Sequence, residues 1–219
     1  MVLILIRGFS RVFAYLLRAT AGGLLACLSG ISQAADEQPP ARALKHYGGE
    51  VFVAAHPQNF ELAFQNRRDK REMTEYIPIG QTLEQWTEMI TVIIFHGVTG
   101  QAPGEVQAHM DRSGQAACPG QENVRLFEGE ERGYRVTLSL DMCGKFAESG
   151  LGEITLFKLI QGRDSFYQVQ RALRVPPFVI GSSRPMTSAQ LAEWTAYFKA
   201  QVYVCDTRVA GSCPLGLRP

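Results

Sequence analysis

Five cysteines punctuate the chain, and one of them, Cys27, lies inside an N-terminal segment built like an export signal. Arg7, Arg11 and Arg18 supply positive charge with no acidic residue among them, and an apolar run follows from Ala19 to Leu28. Ser32-Gln33-Ala34 then gives the small-x-small site at which a signal peptidase cuts. Cleavage after Ala34 leaves Cys118, Cys143, Cys205 and Cys213. An even set of cysteines in an exported chain points to disulfides formed in an oxidising compartment. Four cysteines allow three connectivities. The expected pairing is Cys118–Cys143 and Cys205–Cys213, with a crossed Cys143–Cys205 bridge as the competitor. The tail pair flanks a short polar loop with Gly211, and such a loop closes easily.

Two other fates of the N-terminus stay open at this stage. Leu24-Leu25-Ala26-Cys27 resembles a lipobox, in which Cys27 would be lipidated and anchor the protein to the envelope. An uncleaved anchor is the third possibility, although a span needs about 20 apolar residues and the runs beside Arg18 are shorter. Beyond Ala35 no stretch is long and apolar enough for a further span. The expected organisation is a signal peptide at 1–34, a flexible leader at 35–43 carrying Pro39-Pro40, and one domain at 44–219. The expected location is periplasmic or secreted.

A mature chain of this size can bury one sizeable core. The full sequence has 22 basic and 21 acidic residues, and setting aside the three signal arginines leaves 19 against 21. That balance offers no electrostatic case for nucleic acid or an anionic membrane.

Most of the remainder reads as strand. Phe60, Leu62 and Phe64 alternate with Glu61, Ala63 and Gln65, and Met73, Glu75 and Ile77 with Thr74 and Tyr76, with the charged tip 66–71 between them. Met89 to Phe95 is apolar on both faces and rich in β-branched residues, which predicts a central strand. Tyr134 to Leu140 alternates Tyr134, Val136, Leu138 and Leu140 against Arg135, Thr137, Ser139 and Asp141. Ile154–Ile160 and Phe166–Val175 follow as a hairpin about Gly162-Arg163-Asp164. Three helices are predicted: a short one over Leu83–Glu88, capped by Thr82 with Gln85; one over Pro103–Met110; and one from Ser188 to about Ala200, opened by the Thr187/Gln190 capping box. Runs of strands with few helices predict an α+β domain, a mostly antiparallel sheet with helices packed on one face and two disulfides.

Three blocks carry a resemblance. Glu75-Tyr76-Ile77-Pro78 with Trp86-Thr87-Glu88-Met89, Asp164 to Ala172, and Val204-Cys205-Asp206-Thr207-Arg208 with Cys213-Pro214 resemble a family of exported proteobacterial proteins of uncharacterised activity. The resemblance spans Tyr76 to Pro214 and implies a single exported domain. It implies no mechanism.

Chemistry-bearing motifs are sparse. His46, His56, His96 and His109 are scattered without metal-ligand spacing, so no metal is expected. The cysteines lack Cys-x-x-Cys spacing, the serines lack a nucleophile elbow, and no glycine-rich loop suits a phosphate or other cofactor. Arg171 falls on the apolar face of its strand. A buried guanidinium needs a carboxylate, and Glu88 is the first partner expected, with Glu75 the second. Arg171, Glu88 and Trp86 are the candidate ligand-binding residues; the competing reading is an ion pair that locks the sheet to the short helix, with Trp86 a core aromatic. The expectation is a non-catalytic binding or interaction protein for an unknown envelope protein or small ligand. A hydrolase whose site assembles only in the fold is the alternative.

Overall fold

The β-branched run Thr91–Ile94 does lie at the centre of a sheet. The computed structural model describes residues 41–182 and 185–214. Seven antiparallel strands form the main sheet: β3 (Phe60–Arg68), β4 (Arg71–Pro78), β5 (Glu88–His96), β6 (Glu122–Glu131), β7 (Tyr134–Cys143), β8 (Gly152–Gln161) and β9 (Ser165–Val175). Their order is β3-β4-β5-β9-β8-β7-β6. A second, three-stranded sheet has the order β1-β2-β10, from β1 (Ala41–Tyr47), β2 (Glu50–His56) and β10 (Val202–Asp206). Two helices, α1 (Pro103–Gly114) and α2 (Ser188–Gln201), complete the described residues.

Side-chain alternation explains the layering. Ile90, Val92 and Ile94 of β5 share one face with Tyr167 and Val169 of β9, Ile154 and Leu156 of β8, and Val136, Leu138 and Leu140 of β7. Against that face pack Phe52 and Ala54 of β2, Val202 and Val204 of β10, and Trp194 and Phe198 of α2. Residues one step out of phase look the other way, and there the buried Ser139 donates to Gln107 of α1 at 2.8 Å. The two helices therefore lie against opposite faces of the main sheet, not on one face as expected. The polar row Arg135, Thr137, Ser139 and Asp141 lies on the face opposite Tyr134, Val136, Leu138 and Leu140. Its small members Thr137 and Ser139 are buried, and they leave room for a helix.

The short helix expected over Leu83–Glu88 does not form. Thr82 Oγ1 accepts from the Gln85 N–H at 3.2 Å, the bond that opens a capping box. The turn ends there, because the Gln81 side chain accepts from the Thr87 N–H at 2.8 Å and Arg174 donates its backbone N–H to the Thr87 carbonyl at 2.9 Å. Those bonds deliver Glu88 into β5 as a strand residue. The Thr187/Gln190 capping box of α2, by contrast, is complete on both sides.

Strand β1 begins at Ala41, so Ala41–Ala43, placed in the leader by sequence, are extended and paired with Ala54–His56. The signal peptide, Cys27 and the rest of the leader lie outside the described residues. Both expected disulfides are present. Cys118–Cys143 has a Cα–Cα separation of 5.9 Å and Cys205–Cys213 one of 5.1 Å.

Candidate functional site

Arg171 is buried, and its Nε donates to Glu88 Oε1 at 2.5 Å. Its guanidinium lies 4.4 Å from the ring centroid of Trp194 and 5.2 Å from that of Tyr197, with Glu193 at 3.7 Å from Nη2. The pair thus locks the sheet to α2. Glu75 is not a partner: it is paired in register with Thr91, whereas Arg171 lies opposite Ile90, so the two side chains point to different faces. Trp86 also belongs to the other face, packed with Ile77, Met89 and Ala172 under the Arg174 guanidinium at 3.8 Å. The three residues expected to line one ligand site are therefore not gathered.

A second polar cluster joins the two sheets. Glu50 and Asp206 are cross-strand partners, and both are buried. Glu50 accepts from the N–H groups of Arg163 at 2.6 Å and Asp164 at 3.0 Å and from the Tyr167 hydroxyl at 2.9 Å. A Cβ at Gly162 would come within 2.7 Å of Glu50 Oε2, so the hairpin needs glycine there. Asp206 accepts from Arg163 at 2.6 Å and from Arg208 Nε at 2.8 Å, and the Arg208 hydrogen bonds hold its carboxyl down to about 2. Two blocks of the sequence resemblance meet here, Asp164–Ala172 and Val204–Cys213, while Trp86–Met89 meets Asp164–Ala172 at the Arg171–Glu88 pair. Each group is answered by another, which is the pattern of a structural clamp.

The α1 side of the sheet is different. Between α1, the ends of β7 and β8, and the loop after Cys143 lies a cavity of about 400 Å³. Met110, Phe146 and Phe157 give it apolar walls, and Asp141, Glu153 and Thr155 line it as well. The Cys118–Cys143 bridge ties the chain just past α1 to the end of β7, and Cys143 is itself part of the lining. Asp141 pairs in register with Thr155 and Cys143 with Glu153, so the two carboxylates are diagonal neighbours on one face. Burial pushes the Asp141 carboxyl up to about 6, against a hydrogen bond from the Asn123 amide and with a further upward push from Asp111. Burial also raises Glu153, opposed by the Thr155 hydroxyl and by Arg174. A pocket with apolar walls and a few convergent polar groups of perturbed pKa is where a ligand site is expected.

Sequence reasoning missed both carboxylates. Asp141 sits in the polar row of β7, and Glu153 falls just before the apolar run of β8. The usable signal was the company Asp141 keeps: Thr137 and Ser139 are too short to reach water from under a helix. The histidines lie elsewhere. His56 stacks on Tyr76 with centroids 4.3 Å apart, and His96 Nε2 is 3.2 Å from Glu72 Oε2. Among the described residues, no group of three His, Cys, Asp or Glu is placed to hold a metal ion, and no helix is long and apolar enough to cross a membrane.

No family model matches this chain, and no functionally curated protein matches it. Among solved structures it is similar to the Saccharomyces cerevisiae Ran-binding protein Mog1p, at 15% identity over 72% of this chain and 84% of that one, with a TM-score of 0.39. It is also similar to a point mutant of the protein Mog1, at 14% identity over the same shares, with a TM-score of 0.40.

Proposed function

We propose that this is an exported, non-catalytic binding protein of the periplasm or extracellular space, which holds a small ligand in the cavity under α1. The observation that carries the reading is the cavity itself: about 400 Å³, apolar-walled, with its rim stapled by Cys118–Cys143. A site fixed by a covalent bridge loses little freedom on binding. Two disulfides accord with an oxidising compartment. The N-terminal segment supports export, with cleavage after Ala34 favoured over lipidation at Cys27. The Arg171–Glu88 pair is left a structural role, because its guanidinium is already occupied.

The test uses the chain beginning at Ala35 with both bridges intact. A set of small fragments is screened by NMR against this protein and against Ser113→Trp, which fills the cavity from an exposed helix position. Shifts centred on Met110, Phe146 and Phe157 that vanish in Ser113→Trp bear the proposal out. Shifts scattered over the surface, or unchanged by Ser113→Trp, end it. Intact mass of envelope material separates the Ala35 terminus from a diacylglyceryl-Cys27 one.

One observation favours a second reading, an envelope hydrolase. A carboxyl near pKa 6 beside a second carboxyl is the equipment of acid–base glycoside hydrolysis. Turnover of a glycoside that disappears in Asp141→Asn while binding persists would establish it.

A further inference from the structure

We infer that the cavity under α1 takes a cation with an apolar body, a protonated primary amine on a hydrocarbon or aromatic group, its ammonium seated between Asp141 and Glu153. The inference rests on the reading of that cavity as a ligand site, and it names the ligand's class.

Charge is the first argument. The hydrogen bonds reaching the two carboxylates come from neutral groups: the Asn123 amide on Asp141, and the Thr155 hydroxyl on Glu153 at 3.0 Å. Arg174 is the cross-strand partner of Glu153 and acts on it, but its guanidinium lies over the Trp86 ring and donates to the Glu84 carbonyl at 3.2 Å. Other carboxylates among the described residues that are drawn away from water are answered by an arginine, by several N–H and O–H donors or, for Glu72, by His96 Nε2 at 3.2 Å. Glu88 has Arg171, Asp206 has Arg163 and Arg208, and Glu50 has two backbone N–H groups and Tyr167. Asp141 and Glu153, both half-buried, line the cavity with neutral donors on them. Drawing a carboxylate out of water beside neutral donors carries a desolvation cost, and a cation in the cavity would offset it.

Geometry is the second argument. Diagonal neighbours in an antiparallel sheet stand about 7 Å apart, so two carboxylates can close on one ammonium. The C-terminal end of α1, with Ser113 and Gly114 in the lining, adds the partial negative charge of a helix C-terminus. Phe146, Phe157 and Met110 then take the apolar body, and an aromatic face beside an ammonium is itself attractive. An anion would meet two carboxylates and the wrong end of a helix dipole.

The probes are 2-phenylethylamine, its neutral counterpart 2-phenylethanol, and the anion 3-phenylpropionate, titrated at pH 8 by calorimetry and NMR. The expected result is that the amine binds at least tenfold more tightly than the alcohol and that the anion does not bind. Asp141→Asn with Glu153→Gln should bring amine and alcohol within twofold, with the circular dichroism spectrum unchanged. An alcohol that binds the wild type as tightly as the amine, while Ser113→Trp abolishes both, would overturn the cation and leave the cavity a ligand site. No binding by any probe, or binding indifferent to Ser113→Trp, would overturn both.

Discussion

Arg171 and Glu88 meet diagonally across the β5–β9 ladder, Glu88 opposite Leu173 and Arg171 opposite Ile90, with Nε 2.5 Å from Oε1. Trp194 covers the guanidinium from α2. The pair therefore joins two adjacent strands and a helix that is distant in sequence.

Removing the cation alone leaves the carboxylate stranded. Glu88 keeps a side-chain exposure of 21%, so water can reach it partly, and Arg171→Leu is expected to cost about 2–3 kcal/mol, below the full penalty for a sealed site. Arg171→Leu with Glu88→Leu should be more stable than Arg171→Leu alone. Urea denaturation of the four proteins in the cycle measures this, and purely additive losses would show that the pair is uncoupled.

Lys158 makes a second prediction. It projects into the apolar face, 1% exposed, and Nζ donates to the Phe198 carbonyl at 2.9 Å, the Val202 carbonyl at 2.8 Å and Glu131 at 2.5 Å. It thereby fastens the C-terminal end of α2, where a cation is favoured, to the start of β10. Lys158→Met keeps the packing and removes three bonds, so a loss of about 3 kcal/mol is expected. Amide exchange should quicken first at the α2–β10 junction. Uniform acceleration across both sheets would contradict the assigned role.

How far the sequence was legible follows from which signals are local. Strands β3, β4, β5, β7, β8 and β9 all announce themselves by alternation or by β-branched runs, and α2 by its capping box. Strand β2 is short and apolar on both faces because Phe52 and Ala54 meet the main core while Val51 and Val53 meet Tyr203 and Cys205. Such a strand has no period to read. Strand β10 was hidden because Val202 continues the helical spacing of α2. The helix over Leu83–Glu88 failed because its cap bond is real but the Gln81 side chain, from outside the motif, claims Thr87. Pairing of Arg171 with Glu88 was foreseeable from the cost of a lone buried cation. The cavity was not, because it depends on which face α1 takes, and that is a tertiary choice.

Asp141 gives the pH prediction. Its carboxyl stands at about 6 in the fold against an ordinary 3.8. The folded state therefore holds the proton over a range in which the unfolded chain has released it, and stability falls as pH rises from about 4 to about 6 before levelling. The groups acting on it are Asp111 of α1 and Asn123 of β6, with Glu153 of β8 beside it in the cavity and Arg174 of β9 acting on Glu153. Asp141→Asn should flatten this segment of the curve and stabilise the protein at pH 8 by about 1–2 kcal/mol, discounted for partial solvent contact. Thermal melts from pH 4 to 8 decide the matter; an unchanged curve in Asp141→Asn would assign the slope to another group.

The two disulfides should differ in kind as well as size. Cys118–Cys143 closes a loop with a sequence separation of 25, and Cys205–Cys213 one of 8. In the chain-entropy model these are worth about 3.5 and about 2.5 kcal/mol. The first bridge holds the cavity rim, so Cys118→Ser with Cys143→Ser should lower global stability and also weaken any ligand bound beside Phe146. The second holds the loop that carries Arg208, whose side chain reaches Asp206 Oδ1 at 2.8 Å and Asp164 Oδ2 at 3.0 Å. Its loss frees an end of the chain and loosens the clamp on Asp206, but it leaves the cavity rim stapled. Cys205→Ser with Cys213→Ser should therefore raise amide exchange over Thr207–Ser212 by at least tenfold while cavity binding stays unchanged. Loss of binding in the tail variant, or retention of full affinity in the rim variant, would show that the rim bridge is not what fixes the site.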